Sequence, residues 1–415
     1  LDLDAPVGDV LAAAGFSGAA DWDPRVTARR LLAADAGMPL GAIGPAAEYS
    51  PGSPMPNLQE FLDSEPLPER KPGTGFGYSN LGYNALELLV ETAAGRPFAP
   101  YMGEKVLSPL GMSASSFAWN ERIASRLATG YDLAGRPVGP YVYPASAAGG
   151  LFVTIGDAAR FAAASVGAGG AAGVLPAEAG RELQRAAVDI GGLFGFAADA
   201  YGYGHFVETL RDGRKAVWHG GQGHGWMTHF HAVPDTGDAV VILTNSQRSW
   251  PLIAAVLRLW ADGRGLARPK FSRIHGLYSA FSAAAWGILA AALAAVAVRA
   301  AAAALARRGG RKIYDVPLGP RARILRGTAA AAILAILFGI VAVVGPLFVP
   351  PSARTVPAGS LPAGTVPLAL SVDEYREEAF VATKAGLVDL PVAGGEVFTR
   401  ELPGLGDATV VRAGA

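Results

Sequence analysis

Apolar residues recur at helical spacing along Val26–Ala34 and again along Gly82–Ala94, where Gly95 follows as a helix stop. Pro100–Val106 continues as a short helix before the Pro109-Leu110-Gly111-Met112 turn. Thr154 or Asp157 can cap a helix running through Ala158–Ser165. Near Ala216 the period changes from helical to alternating. Ala216–Gly221, Trp226–Val233 and Asp238–Asn245 are strand-like runs, separated by glycine-rich or Pro-Asp-Thr-Gly turns. They predict an antiparallel meander, with a helix from Trp250 to Trp260 packed on it. Helices in one block and strands in another predict an α+β fold.

Two later stretches are apolar throughout. Gly276–Val298 carries no charge over 23 residues and Gly327–Ala353 none over 27, each more than the ~20 residues that cross a bilayer. Between them, Arg299–Arg326 holds eight basic residues and one acid, Asp315, a bias expected of a cytoplasmic loop. The expected division is a soluble domain at 1–270, a membrane helix at 276–306, a basic cytoplasmic loop at 307–326 and a second membrane helix at 327–350. A linker and tail follow at 351–415. The domain at 1–270 and the tail then face outward from the plasma membrane, and the lipid bilayer is a partner. Pro350-Pro351 opens an extended linker, and the tail reads as short strands in a small accessory β-unit.

Composition narrows the chemistry. Thirty-five basic residues balance 35 acidic ones, which gives nucleic acid no electrostatic footing. There are no cysteines, so disulfides, thiol nucleophiles and cysteine-ligated metals are excluded. Hydrophobic residues make up 51% and charged residues 17%, a balance that excludes a wholly disordered chain.

The run Pro72-Gly-Thr-Gly-Phe-Gly-Tyr78-Ser79-Asn80-Leu-Gly-Tyr83, continuing to GRPFAPYMGEKVLSPLGM, resembles the second motif region of serine β-lactamase-like hydrolases. These are the class C β-lactamases, DD-peptidases and related esterases. Ser146–Phe161 resembles their glycine-rich segment; YGYGHF, WHGGQGHGW and VVILTNS resemble the third motif and its sheet. The resemblance runs from residue 1 to about 260 and implies an antiparallel sheet flanked by helices. It implies acyl transfer through an acyl-enzyme on a peptide, amide, ester or β-lactam, with no cofactor. Tyr78 then stands where the family relays the nucleophile's proton, and Asn80 where it binds the substrate amide. His219 takes the place of a lysine or histidine in the third motif. Gly220 and Gly221 let substrate approach the strand, and the Gln222 N–H is an oxyanion donor. From the residues alone, Tyr78 can equally be an amphipathic turn tyrosine, Asn80 a helix cap, Ser79 a turn residue and Ser146 a packing serine.

One departure is serious: no serine in the chain is followed three residues later by lysine. The opening LDLDAPV resembles the segment just after the family's nucleophile helix, and no leader precedes it. The expectation is therefore a nucleophile upstream of Leu1 and a chain that is inactive as it stands. The alternative is a catalytically silent binding or regulatory relative. A third reading comes from His219, His224, His229 and His231, whose spacing suits a zinc-dependent hydrolase. Because the motif already uses His219 and no glutamate stands near as a base, no metal is expected.

Overall fold

The structure, a computed structural model, describes residues 2–42, 44–166 and 174–308. Beyond these it describes Thr328 and the segments 367–373, 378–391, 397–401 and 409–413. The helices are α1 Gly8–Ala13, α2 Ala28–Leu32, α3 Leu58–Asp63, α4 Asn80–Ala94, α5 Phe98–Met102, α6 Glu121–Ala124, α7 Ile155–Val166, α8 Ala177–Leu183, α9 Trp250–Arg264 and α10 Ile274–Arg308. The strands are β1 Gly130–Tyr131, β2 Pro137–Val138, β3 Val188–Asp189, β4 Ala200–Tyr201, β5 Phe206–Thr209, β6 Lys215–Gln222, β7 Met227–Val233 and β8 Asp238–Thr244. In the tail they are β9 Pro367–Asp373, β10 Glu378–Pro391, β11 Val397–Glu401 and β12 Thr409–Ala413.

Strands β3 to β8 follow one another in an antiparallel meander, of which β6 to β8 are the three runs predicted from Ala216 onward; β3 to β5 extend it on the other side. The tail strands join this same sheet, β9 lying parallel to β8, rather than forming a separate unit.

Local chemistry sets the helix boundaries. Helix α4 starts where the Ser79 hydroxyl accepts the Gly82 N–H, and it ends at Gly95, whose φ of 64° suits glycine. Asn80, the alternative cap, is instead the first residue of the helix. The helix expected over 26–34 shortens to α2, because Thr27 caps it and Ala34 leaves helical space with φ 53°. Thr154 caps α7: its hydroxyl accepts the Asp157 N–H at 3.3 Å. Asp157 turns inward and takes bonds from the Ala114 N–H and the Ser115 hydroxyl.

Two cores result. Leu11, Leu31, Leu62, Leu81, Leu88 and Leu89 form one among the helices. Phe206, Trp218, Ile242, Leu257, Trp260 and Phe271 form the other, between the sheet and α9. Each fully buried leucine contributes about 2 kcal/mol of transfer free energy. Phe76 and Tyr78 pack on the sheet core, whereas Leu81, three residues later, belongs to the helical core. The segment before α4 therefore lies on the seam between them.

Helix α10 is continuous over 35 residues, about 52 Å at 1.5 Å per residue. Ile288, Val296, Val298 and Leu305 on it are exposed. Among the described residues, no helix is long and apolar enough to cross a membrane. The side chains of 274–286, which include half of the first expected span, lie outside the described residues. So do most of the basic loop and, apart from Thr328, the second expected span.

Candidate active site

Tyr78, from the segment ahead of α4, and His219, from β6, meet at the seam. Glycine makes room ahead of Tyr78: a Cβ on Gly77 would fall 1.7 Å from the Arg70 guanidinium, which donates to the Phe76 carbonyl at 3.2 Å. The Tyr78 ring is stacked 6.2 Å from Phe206, and its hydroxyl lies 3.4 Å from His219 Nε2. Burial raises the Tyr78 pKa, and among the described residues no cation offsets it, so the phenol is protonated at neutral pH. His219 is pushed down to about 4, chiefly by burial and then by His205, against a backbone hydrogen bond at Gly220. Burial therefore favours the neutral imidazole near pH 7.

Ser79 is fully employed. Its hydroxyl donates to the Pro39 carbonyl at 2.6 Å and accepts the Gly82 N–H at 2.9 Å, in a buried position. Asn80 donates its backbone N–H to the Leu40 carbonyl at 2.8 Å. Its side chain is half-buried and makes no hydrogen bond among the described residues, which leaves the amide available.

The third element is a strand edge. Strand β5 pairs with β6 from Lys215 to Trp218 and then ends, while β7 accompanies β6 through Gln222. From His219 to Gln222, β6 is therefore unpaired on its β5 side. Gly221 donates its N–H to Thr228 Oγ1 at 3.1 Å and Gly223 donates to the Trp226 carbonyl at 2.9 Å, both on the β7 side. By strand alternation, the N–H groups of Gly220 and Gln222 point to the open edge. The glycines also serve the sheet. A Cβ on Gly221 would lie 2.7 Å from Thr228 Oγ1, and one on Gly220 3.1 Å from the Thr228 carbonyl oxygen.

The four histidines of the zinc reading do not form a ligand set among the described residues. His224 Nδ1 lies 2.9 Å from Glu48 Oε2, and its ring stacks on Tyr141. His229 and His231 are buried on the Trp218 face of the sheet, stacked 5.7 Å apart. Burial lowers both pKa values and pushes His231 down to about 3. Among the described residues, no group of three histidine, aspartate or glutamate side chains could hold a metal ion.

Several site features escape a reading of motifs. Phe194 is 48% exposed yet packs 6.5 Å from the Tyr78 ring. Glu48 carries no motif. Glu87 did leave a signal: with Asn84, it is a polar residue on the buried stripe of α4. Away from the site, a cleft of about 480 Å³ is lined by Arg25, Arg29 and Arg30. All three guanidinium groups are already paired, with Asp23, Asp4 and Asp35.

A meander backed by α9, with a tyrosine motif at a helix start facing a His-Gly-Gly strand edge, is the layout of serine β-lactamase and DD-peptidase domains. The sequence matches the beta-lactamase family over residues 1–263, and the chain belongs to that family. Among curated relatives, it is 27% identical over 110 residues to protein flp of Staphylococcus aureus (strain MRSA252), covering 26% of this chain and 22% of flp. It is 26% identical over 267 residues to penicillin-binding protein 4 of Amycolatopsis lactamdurans, covering 59% of this chain and 66% of that protein. Among solved structures, D-amino acid amidase from Ochrobactrum anthropi SV3 is 22% identical with a TM-score of 0.47, covering 57% of this chain and 67% of the amidase.

Proposed function

We propose that the beta-lactamase family domain performs serine-type acyl transfer on a peptide, amide, ester or β-lactam, and that residues 1–415 supply the tyrosine, histidine, asparagine and strand-edge parts of its site but neither the nucleophilic serine nor its lysine. The observation that carries this reading is the pairing of Tyr78 with His219 at the head of an open strand edge. A carbonyl laid along that edge meets the Gln222 N–H, which stabilises the oxyanion as the tetrahedral intermediate forms. Gly220 and Gly221 keep side chains out of the way, and the Asn80 amide binds the substrate's own amide. The nucleophile's hydroxyl proton passes to Tyr78 Oη as the phenol's own proton moves to neutral His219 Nε2. The activated oxygen then attacks the carbonyl carbon. The tetrahedral intermediate collapses to the acyl-enzyme as its C–N or C–O bond breaks, the departing amine or alcohol taking back the proton held on His219 through Tyr78. The serine and lysine of a Ser-x-x-Lys motif come from outside these residues.

The domain is anchored to the plasma membrane and faces outward, with the tail on the same side. Support comes from the two uncharged stretches of sequence, 276–298 and 327–353, and the basic loop between them.

A serine-directed fluorophosphonate tests the chemistry. The 415-residue chain is expected to resist labelling, and a chain extended upstream to include Ser-x-x-Lys is expected to label. An extended, folded chain that carries the motif and stays unlabelled would establish the second reading, a binding relative. That reading rests on the missing motif in these 415 residues.

A further inference from the structure

Glu87 lies two turns beyond Asn80 on α4, and its side chain is buried. A carboxylate there is costly unless it is hydrogen-bonded. One oxygen, Oε2, accepts two backbone N–H groups at 2.6 Å each, from Ser146 and Ala147. These open a tight loop that closes when Gly150 donates its N–H to the Ser146 carbonyl at 2.7 Å. The loop leaves no slack: a Cβ on Gly150 would sit 2.8 Å from Ser146 Cα.

The segment leading into this loop reaches the open end of β6. Ala145 is buried in the helical core, while the Tyr143 ring lies 5.4 Å from Tyr141. The Tyr141 hydroxyl lies so close to Gly223 that a Cβ there would be 2.7 Å away. Gly223 directly follows Gln222. One rigid helix thus presents Asn80 at its start and, seven residues later, grips the loop whose tyrosines stand beside the other end of the substrate edge.

We propose that Glu87 is a positioning residue of the acyl-transfer site: its carboxylate clamps the Ser146–Gly150 loop and thereby sets Tyr141 and Tyr143 against the Gln222–Gly223 end of β6. The proposal rests on the reading of that edge as the substrate edge. It assigns a role to a residue outside the family motifs.

The clamp is sensitive to protonation. Burial pushes Glu87 up to about 7 against the pull of the Ala147 and Ser146 N–H groups, with Glu91, one turn on, adding to the rise. The loop brings only uncharged Ser146 and Ala147 to the carboxylate. Of the helices packed on α4, which are α1, α2, α3 and α5, none adds a charge that shifts it among the described residues. Ionised Glu87 grips the two N–H groups more strongly than the neutral acid does. The loop should therefore be held tightly above pH 7 and loosened below it.

Hydrogen–deuterium exchange of the full 415-residue chain in mild detergent tests this without turnover, so the result is independent of whether the site hydrolyses anything. After correction for intrinsic rates, the 145–150 backbone should exchange slowly at pH 8 in the wild type and in Glu87→Gln, which keeps an acceptor. It should exchange at least about tenfold faster in Glu87→Ala. Between pH 8 and pH 6, protection should weaken in the wild type and stay constant in Glu87→Gln. Equal exchange in the wild type and Glu87→Ala would overturn the proposal. If Glu87→Ala does not fold, the pH comparison decides: a wild-type profile as flat as that of Glu87→Gln overturns it.

Discussion

The Tyr78 hydroxyl lies 3.4 Å from His219 Nε2, and no other hydrogen-bond partner reaches that hydroxyl among the described residues. The phenol is thus held for one neighbour, on the strand against which it packs. Replacing Tyr78 by Phe should leave the fold intact, since the ring keeps its stacking on Phe206. In a chain extended to include its nucleophile, kcat should fall by ~10²-fold or more, as expected for loss of a proton relay. Steady-state kinetics alongside a melting curve would check both halves; a Phe variant with undiminished kcat would remove Tyr78 from the mechanism.

The pH behaviour of His219 follows from burial. Its folded pKa lies below the unfolded value near 6.5, so the stability it contributes is complete above pH 6.5 and is lost as pH falls through 6.5 toward 4. NMR titration of the His219 ring should give a midpoint near 4, and the rate should show no inflection near 6.5 from this residue. A ring that titrates at 6.5 would contradict the neutral relay. Substituting His219 by Ala should cost ~10²-fold in rate.

His231 should matter to stability and not to chemistry. It is fully buried beneath the sheet, with Nε2 3.5 Å from Glu208 Oε1. His231→Ala removes a packed ring from that site and should destabilise the fold by about 2–4 kcal/mol in chemical denaturation. Its effect on kcat should be small. If it slowed turnover as much as His219→Ala, the site would not lie along the open edge of β6.

Topology is open to reporter fusions. A reporter joined after Arg311 should be active only in the cytoplasm, and one joined after Thr365 only outside. Activity of both on one side would reject a two-span anchor.

The sheet could be read from sequence because alternation survives wherever one face is buried, as in Met227–Val233. The start of α4 was nearly right: the cap is Ser79 and not Asn80, a one-residue difference that decides which side chain stays free for substrate. The charge state of His219 could not be read, since it depends on how deeply Phe206 and Tyr201 enclose the ring. Nor could the hydrogen bond of Glu48 with His224, which joins residues 176 positions apart. The Glu87 clamp lies between these cases. A glutamate on an apolar stripe announces a partner without saying which.

Nine residues separate α9 from α10, and they are tied down along their length. Ala267 donates its N–H to Asp212, Lys270 donates its N–H to Glu208 at 2.9 Å and its ammonium to Asp199, and Phe271 is buried. A glycine-serine tether would let a catalytic head sweep a wide volume. This joint works as a bracket. The start of α10 is thereby held to the sheet and cannot swing freely from the domain.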